Sequence, residues 1–166
     1  MERPVQKIHA LVLCKGNICR SPLLEGMLQY HAAISNRSLS YHFDSAGTSA
    51  FHRGEPPDPR SIEVATRAGL SIGHQRSRPL TVEDLRQFDF IIAMDRSNRR
   101  FVTELGAFPE ERLLLARHFD PEASEHDVPD PWYGGPGGFD EVFAMLERAT
   151  VPLLDHFATL GPRTLP

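Results

Sequence analysis

The segment CKGNICRSP, residues 14–22, follows directly on the apolar run IHALVLC, residues 8–14. The apolar run favours a β-strand. Ser21 and Pro22 are typical of a helix N-cap and a first-turn proline, and apolar side chains then recur at helical spacing. The segment is therefore predicted to form the loop between a first strand and a first helix.

Strands and helices are predicted to alternate along the rest of the chain. Pro152 is expected to kink the last helix or to split it in two. This order predicts an α/β fold with helices on both faces of a mostly parallel sheet, which binds ligands beyond the carboxyl ends of its strands. The later predicted strands cover residues 41–45, 88–94 and 112–116, and the later predicted helices begin at Asp58, Thr81, Ser97 and Phe139.

The composition is that of a soluble globular protein, with 40% hydrophobic and 24% charged residues in a length of 166 that suits one domain. A formal net charge of -4 argues against a general nucleic-acid-binding protein. No stretch approaches the roughly 18 to 20 apolar residues of a membrane-spanning helix, and no signal pattern precedes the first strand. A cytoplasmic protein is therefore expected. Its two cysteines lie in one loop, which excludes a disulfide framework.

A loop between a strand and a helix start can gather backbone N–H groups into a concave anion site. Gly16 and Asn17 are residue types that tolerate the left-handed backbone needed to turn those groups inward. Lys15 adds positive charge nearby. Arg20 ends the loop with a planar guanidinium that can hold two oxygens of one phosphoryl group. The sequence therefore predicts a phosphate-binding loop.

Cys14 lies at the end of the predicted strand and would point into this anion site. The amide dipoles, the helix terminus and Arg20 would all favour its thiolate form. The Ser21 hydroxyl is placed to donate a hydrogen bond to that thiolate. A cysteine at a strand end is ordinarily inert core packing, but within this motif Cys14 is predicted to be a nucleophile.

The loop resembles that of the low-molecular-weight protein tyrosine phosphatase family, whose pattern C-x-G-N-x-C-R-S-P fixes seven positions here. The resemblance continues through residues 44–61, 94–98 and 130–134 and so covers nearly the whole chain. It implies a three-layer αβα, flavodoxin-like fold with a four-stranded parallel sheet in the strand order 2-1-3-4. Residues 1–166 would form a single phosphatase domain.

The same resemblance implies catalytic roles for individual residues. Cys14 would attack the phosphorus in line while Arg20 holds the equatorial oxygens. Asp130 would protonate the leaving phenolic oxygen and later activate water. Asn17 would lock the loop backbone, with Ser45 as its hydrogen-bond partner. No metal ion and no cofactor is implied.

The remaining site residues are expected to bind the substrate. A phenyl ring would pack between Ile18, Phe51, Trp132 and Tyr133. These residues would form a cleft deep enough for phosphotyrosine, in which phosphoserine would not reach the nucleophile. Phe51 replaces a tryptophan that is common in relatives, and Trp132 replaces an aromatic residue that is often tyrosine. Both replacements keep an aromatic wall. The implied partners are tyrosine-phosphorylated proteins, with the protein itself a monomer. The phosphate or a similar oxyanion would lie against Lys15, Gly16, Asn17, Ile18, Cys19 and Ser21.

Other interpretations stay open. Cys19 fits either core packing or a resolving thiol that forms a reversible disulfide with Cys14. A thiol-coupled arsenate reductase would need further cysteines, and none follows Cys19. A related phosphoarginine phosphatase would carry threonine where Ile18 stands, and a non-catalytic phosphate-binding adaptor would not need Asp130. Four histidines without an evident partner are interpreted as surface or loop residues: His52, His74, His118 and His126.

Overall fold

The chain alternates strands and helices over residues 6–35, 39–135 and 137–164, which the computed structural model describes. The strands in these ranges are β1 (Lys7–Cys14), β2 (Ser40–Gly47), β3 (Phe90–Ala93) and β4 (Leu113–Leu115). The α-helices are α1 (Arg20–Ile34), α2 (Pro59–Arg67), α3 (Asp84–Gln87), α4 (Arg96–Leu105) and α5 (Gly137–Leu160). Short 3-10 helices cover Glu110–Arg112, Ala116–Phe119 and Pro131–Tyr133. None of the helices in these ranges combines the length and apolarity needed to cross a membrane.

The four strands pair in parallel to form one sheet in the order β2-β1-β3-β4. Side chains of the central strand β1 alternate between two cores. Ile8 and Val12 pack with buried residues of α1 and α5, whereas Leu11 and Leu13 pack with residues of α3 and α4 on the opposite face. The predicted three-layer αβα fold with the strand order 2-1-3-4 is therefore confirmed.

Local side-chain hydrogen bonds explain where α2 and α3 begin. Asp58 caps α2 by accepting a hydrogen bond from the backbone N–H of Arg60 at 2.8 Å, so the predicted start of this helix is confirmed. Gly69, which follows the helix, has a φ of +81°, a conformation that ends a helix at no steric cost in glycine. The helix predicted from Thr81 begins instead at Asp84, whose N–H donates to the Thr81 hydroxyl at 3.3 Å.

The longer helices differ from the prediction at Ser21 and, in part, at Pro152. Ser21 is not the N-cap of α1, because the helix begins at Arg20 and no side chain caps it. The Ser21 hydroxyl instead accepts a hydrogen bond from the side-chain amide of Asn17. Of the two outcomes expected at Pro152, the split is not found, because α5 runs as one helix of 24 residues whose buried residues such as Leu153 pack in the core. The expected kink stays a prediction.

The carboxyl ends of β1, β2 and β3 meet at one edge of the sheet, as they do in parallel α/β folds. Met94, just after β3, accepts a backbone hydrogen bond from Val128 at 2.8 Å, which brings the loop that contains Asp130 to this edge. Gly47 at the end of β2 approaches the loop after β1 closely, because a Cβ there would lie 2.7 Å from the carbonyl oxygen of Lys15. Predicted site residues from distant parts of the sequence therefore converge at this edge.

Candidate active site

The loop after β1 turns at Asn17, which has a φ of +57°. Asparagine is one of the few residues with a Cβ that adopt this left-handed conformation readily. The left-handed conformation predicted for Gly16 is not found. A Cβ on Gly16 would lie 3.1 Å from Cδ2 of His52, a tight contact that a small movement of the His52 side chain would relieve. The sharp turn of the loop thus depends on one residue of the predicted pair.

The side chain of Asn17 is buried and ties the loop to two other parts of the chain. Its Nδ2 donates to the hydroxyls of Ser21 at 2.8 Å and Ser45 at 2.9 Å. Its Oδ1 accepts from the backbone N–H of Arg78 at 3.0 Å. The pair of Asn17 and Ser45 implied by the family resemblance is thus in hydrogen-bond contact. The contact with Arg78 also fixes which end of the Asn17 amide donates.

The sulfur of Cys14 lies at the centre of this network, and the residue is only 2% exposed. The backbone N–H of Asn17 donates to the sulfur at 3.2 Å, and the hydroxyl oxygen of Ser21 lies 3.1 Å from it. Because Ser21 accepts a hydrogen bond from Asn17, its own proton is left to point at the sulfur. Two donors aimed at one sulfur stabilise a thiolate.

Arg20 is buried at the start of α1, where its Nη1 donates to Oδ2 of Asp95 at 2.7 Å and to the carbonyl of Val128 at 2.9 Å. Burial opposes a charged guanidinium, but the charge of Cys14 and the hydrogen bond to Asp95 outweigh it and raise the pKa of Arg20. Arg20 therefore stays cationic, with Nη1 anchored by Asp95 and Val128 and Nη2 3.7 Å from Asp130 at the cleft.

Asp130 has two different contacts, one for each carboxylate oxygen. Oδ1 accepts from the backbone N–H of Trp132 at 3.0 Å and so caps the short 3-10 helix Pro131–Tyr133. Oδ2 lies 3.7 Å from Nη2 of Arg20. The aspartate is thus both a turn former and a carboxylate directed toward the phosphate-binding loop, which are the two interpretations that its sequence context allows.

A cleft of ≈ 350 Å³ opens over the sulfur. The apolar residues in its walls are unevenly exposed, since Ile18 is buried whereas Trp132 is 41%, Tyr133 80% and Phe51 84% exposed. Asn17, Ser21 and Ser45 do not line the cleft and instead support the loop that does. The predicted site residues that line it are Cys14, Lys15, Gly16, Ile18, Cys19, Arg20, Phe51, Asp130, Trp132 and Tyr133.

Cys19 differs from Cys14 although both thiols are free. It packs in a small cluster with Ile18 and Phe139. Burial raises the pKa of Cys19 strongly, and the negative charges of Asp58, Cys14 and Asp130 add to the effect. Cys19 is therefore a neutral thiol under ordinary conditions. The loop holds one sulfur in reach of donors and one in an apolar pocket.

Several contributors to the site were not predicted from the sequence. Asp95 anchors Arg20 through Oδ2 while its Oδ1 forms the capping box of α4, and only the capping signal is visible in the sequence. His52 lies in a turn, as expected of a surface or loop residue, but the expectation that it has no partner is wrong. Its Nδ1 lies 2.6 Å from Glu55 Oε2, its ring centroid lies 5.6 Å from that of Trp132, and it lines the cleft. The three-residue spacing of His52 and Glu55 is a signal that would have suggested the pair.

Two of the other histidines also have a partner. Nε2 of His118 lies 2.8 Å from Nδ1 of His126 on the exposed surface, so the interpretation of these two residues as partnerless is wrong as well. The part of the chain that the structure describes contains no group of three or more histidine, cysteine, aspartate or glutamate side chains that could hold a metal ion.

Comparisons with known proteins agree with the geometry of the loop. The model of the family described as low molecular weight phosphotyrosine protein phosphatase matches residues 9–161. The chain belongs to this family. The low molecular weight phosphotyrosine protein phosphatase of Schizosaccharomyces pombe is 36% identical over 146 residues, which cover 85% of this chain and 91% of the relative. Members of the low-molecular-weight phosphatase family are named as protein-tyrosine phosphatases, which are hydrolases.

Solved structures of proteins in this fold resemble the chain closely. The Bacillus subtilis protein YfkJ matches with a TM-score of 0.86 and 31% identity, over 95% of this chain and 99% of that one. A protein tyrosine phosphatase from Entamoeba histolytica, with Hepes in its active site, matches with a TM-score of 0.80 and 33% identity, over 92% and 97%. A Drosophila arginine phosphatase matches with a TM-score of 0.80 and 27% identity, over 89% and 96%.

Proposed function

We propose that this low-molecular-weight phosphatase hydrolyses phosphotyrosine in proteins, and small aryl phosphates, through a cysteinyl-phosphate on Cys14. The proposal is based above all on the surroundings of the sulfur. Cys14 Sγ accepts a hydrogen bond from the Asn17 N–H at 3.2 Å and lies 3.1 Å from the Ser21 hydroxyl. Arg20 and Asp130 line the same cleft. A thiolate, a cation for the phosphoryl oxygens and a carboxyl group for proton transfer are thus within reach of one bound ester.

In the first step the Cys14 thiolate attacks the phosphorus from the side opposite the phenolic oxygen. A sulfur–phosphorus bond forms while the phosphorus–oxygen bond to the phenol breaks. Asp130, entering the step protonated, transfers its proton to the departing oxygen, so that a neutral phenol leaves. Arg20 and the loop amides bind the three equatorial oxygens, whose charge is spread in the transition state.

In the second step water hydrolyses the cysteinyl-phosphate. Asp130, now a carboxylate, accepts a proton from the water as its oxygen attacks the phosphorus. The sulfur–phosphorus bond breaks, inorganic phosphate is released, and the thiolate is restored. The donors on the sulfur, Asn17 N–H and the Ser21 hydroxyl, lower the cost of that departure because they bind the thiolate more strongly than the sulfur of the cysteinyl-phosphate.

The shape of the cleft supports phosphotyrosine as the substrate. Ile18, Phe51, Trp132 and Tyr133 form apolar walls around the loop, and these walls suit a planar ring between the peptide and the phosphate. Phosphoserine, with a shorter side chain, would not reach the sulfur from outside these walls. Tyrosine-phosphorylated proteins are therefore the proposed partners. We place the monomeric enzyme in the cytoplasm, where reducing conditions keep the sulfur of Cys14 out of a disulfide.

A second candidate substrate is phosphoarginine, because the chain matches the Drosophila arginine phosphatase in structure. Ile18, which is buried and lines the cleft, favours phosphotyrosine, since an apolar wall offers no hydrogen bond to a guanidinium. Rates on phosphotyrosine and phosphoarginine should be measured for the wild type and for Ile18→Thr. If the wild type hydrolyses phosphoarginine faster than phosphotyrosine, phosphoarginine becomes the proposed substrate.

The catalytic role of Cys14 is tested by Cys14→Ser. We expect hydrolysis of p-nitrophenyl phosphate to fall to background, because the serine hydroxyl remains protonated. The variant should keep its fold and still bind tungstate in a thermal-shift experiment, since Arg20 and the loop amides are unchanged. Hydrolysis at the wild-type rate by the serine variant would rule out the proposed mechanism. Loss of tungstate binding together with activity would point to a disrupted loop.

A further inference from the structure

A second groove, of ≈ 410 Å³, opens directly beside the cleft over the Cys14 sulfur. The side chains of Ile18, His52 and Trp132 line both the cleft and the groove, so the two spaces are continuous. The proposed mechanism uses only the cleft, because attack at phosphorus and proton transfer both take place there. The groove is therefore a space next to the reacting ester to which the proposed chemistry assigns no role.

Prolines give the groove a rigid lining. Pro56 and Pro57 lie in the segment that precedes α2, Pro59 is the first residue of that helix, and Ile62 lines the groove from its first turn. A proline ring fixes the backbone φ angle near −65°. The segment therefore has little conformational freedom to lose when a ligand binds, which lowers the entropic cost of binding.

Hydrogen bonds fix the position of the groove relative to the phosphate-binding loop. The backbone N–H of Asp58 donates to the carbonyl of Ile18 at 2.8 Å, and the Ser61 hydroxyl donates to the carbonyl of Cys19 at 3.0 Å. An extended peptide advances about 3.3 to 3.6 Å per residue. When the loop holds a phosphotyrosine, a side chain one or two positions away therefore reaches the groove on the other side of Trp132.

The lining of the groove favours an apolar ligand. Among the residues that the structure describes, no lysine or arginine lines it. Its two carboxylates already have partners, since Asp58 accepts from the N–H and Nη2 of Arg60 at 2.8 and 3.0 Å and Glu55 Oε2 lies 2.6 Å from His52 Nδ1. An acidic side chain would meet these carboxylates without a cation to balance it. An aliphatic side chain would bury apolar surface against Ile62 and the prolines.

We propose that this groove is a substrate subsite that binds an aliphatic side chain one or two positions from the phosphotyrosine. The inference rests on the proposed function, because it places the phosphotyrosine itself in the cleft over Cys14. Trp132 separates the two side chains, and Arg60 packs on its ring with Cζ 5.5 Å from the ring centroid. The enzyme thus recognises two nearby residues of its substrate, one by its phosphate and one by its apolar surface.

Phosphotyrosyl peptides that differ at one position test the proposal. Each peptide carries leucine, alanine, glutamate or lysine at one of the four positions within two residues of the phosphotyrosine, and alanine at the other three. We would measure kcat and KM for these peptides and for p-nitrophenyl phosphate, which has no flanking residue. The variants are Ile62→Ser and Ile62→Phe, since Ile62 lines the groove but not the cleft. Val151→Ser is the matched control, because Val151 is an exposed helical residue that lines neither space.

We expect leucine to raise kcat/KM about 5- to 20-fold over alanine in at least one of the four positions, the low end for methylene groups in an apolar site that is partly open. The gain should come from a lower KM, because the groove does not touch the reacting atoms. Glutamate should give a kcat/KM no higher than alanine. Ile62→Ser makes the groove polar and Ile62→Phe fills it, so both should reduce the leucine preference to less than about twofold. Hydrolysis of p-nitrophenyl phosphate by these variants, and the leucine preference of Val151→Ser, should stay within about twofold of the wild type.

Three results would overturn the subsite: equal kcat/KM for leucine and alanine at all four positions, a leucine preference that survives in both Ile62 variants, or a preference for lysine over leucine. Melting temperatures show whether an Ile62 variant has lost its fold, in which case the other variant decides. A wild type that hydrolyses neither the peptides nor p-nitrophenyl phosphate would contradict the proposed function. Binding of the leucine and alanine peptides to Cys14→Ser, which needs no turnover, then tests the groove separately.

Discussion

Asp95 holds Arg20 with one carboxylate oxygen and begins helix α4 with the other. Oδ2 accepts from Arg20 Nη1 at 2.7 Å, and Oδ1 accepts from the backbone N–H of Asn98 at 2.8 Å. The helix that follows β3 is thereby joined to the cation of the phosphate-binding loop after β1. The position of the guanidinium is set by the fold itself, before any ligand arrives.

Asp95→Ala should weaken phosphate binding because Arg20 loses this anchor. We expect the inhibition constant of inorganic phosphate to rise about 10-fold, the lower range for a lost charged hydrogen bond. Asp95→Asn keeps an oxygen for both contacts and should show a smaller effect. Inhibition of p-nitrophenyl phosphate hydrolysis by phosphate measures the change. An alanine variant with an unchanged inhibition constant would show that Val128 alone positions Arg20.

Asp130→Asn should slow the hydrolysis of phenyl phosphate by about 10² to 10⁴, the range for a lost general acid. The loss should be smaller for p-nitrophenyl phosphate, since its leaving group needs less protonation. Asp127→Asn is the matched control, because Asp127 lies in the same loop but pairs with the exposed Arg96. A loss below threefold, or an equal loss for both substrates, would remove Asp130 from the acid role.

Substitutions at Asn17 should separate its backbone conformation from its hydrogen bonds. Asn17→Gly can adopt the φ of +57° but loses the three side-chain hydrogen bonds of the asparagine. Asn17→Ala loses these hydrogen bonds and also adopts this φ only with strain. We expect both variants to lose most of the activity, with alanine lower in unfolding free energy by a further 1 kcal/mol or so, roughly the strain of a left-handed residue with a Cβ. Urea unfolding and kcat measure the two effects. A fully active glycine variant would mean that the turn alone organises the loop.

Gly47→Ala should destabilise the loop through a steric clash. Its Cβ would lie 2.7 Å from the Lys15 carbonyl oxygen and 3.2 Å from the Asn17 Cβ, so we expect a loss of about 1 to 3 kcal/mol in unfolding free energy and a lower kcat. Gly73→Ala is the control, since a Cβ there meets nothing within 4 Å. Equal stability of the two variants would show that β2 can move away from the loop at no cost.

The buried carboxyl group of Glu25, in α1, should make the free energy of unfolding depend on pH, because burial raises its pKa. Its pKa is raised from 4.5 to about 7 in the folded protein, so the folded state binds more protons than the unfolded state between these values. The free energy of unfolding should therefore fall as pH rises through this window, by up to about 3 kcal/mol relative to Glu25→Gln. Urea unfolding of both proteins at about pH 5 and about pH 8 measures it. A constant difference between them would contradict the shift.

Much of the site could be predicted because its chemistry is local. Cys14, Asn17 and Arg20 lie in one loop whose position between a strand and a helix determines where its amides point. Contacts between distant segments could not be read in the same way. The Ser21 hydroxyl looks like a helix cap in the sequence, but Asn17 binds it in the fold. The second oxygen of Asp95 reaches a residue 75 positions away, and no local pattern reports such a partner.

The aromatic lip of the cleft has a consequence for the choice of substrate. Phe51 and Tyr133 are 84% and 80% exposed, so their replacement removes little buried area and leaves the interior intact. Cys14 and the residues that support its loop, Asn17, Ser21 and Ser45, are in contrast buried. Substitutions at Phe51 and Tyr133 should therefore reshape the mouth of the cleft without destabilising the fold, so that the choice of substrate can change independently of the chemistry proposed at Cys14.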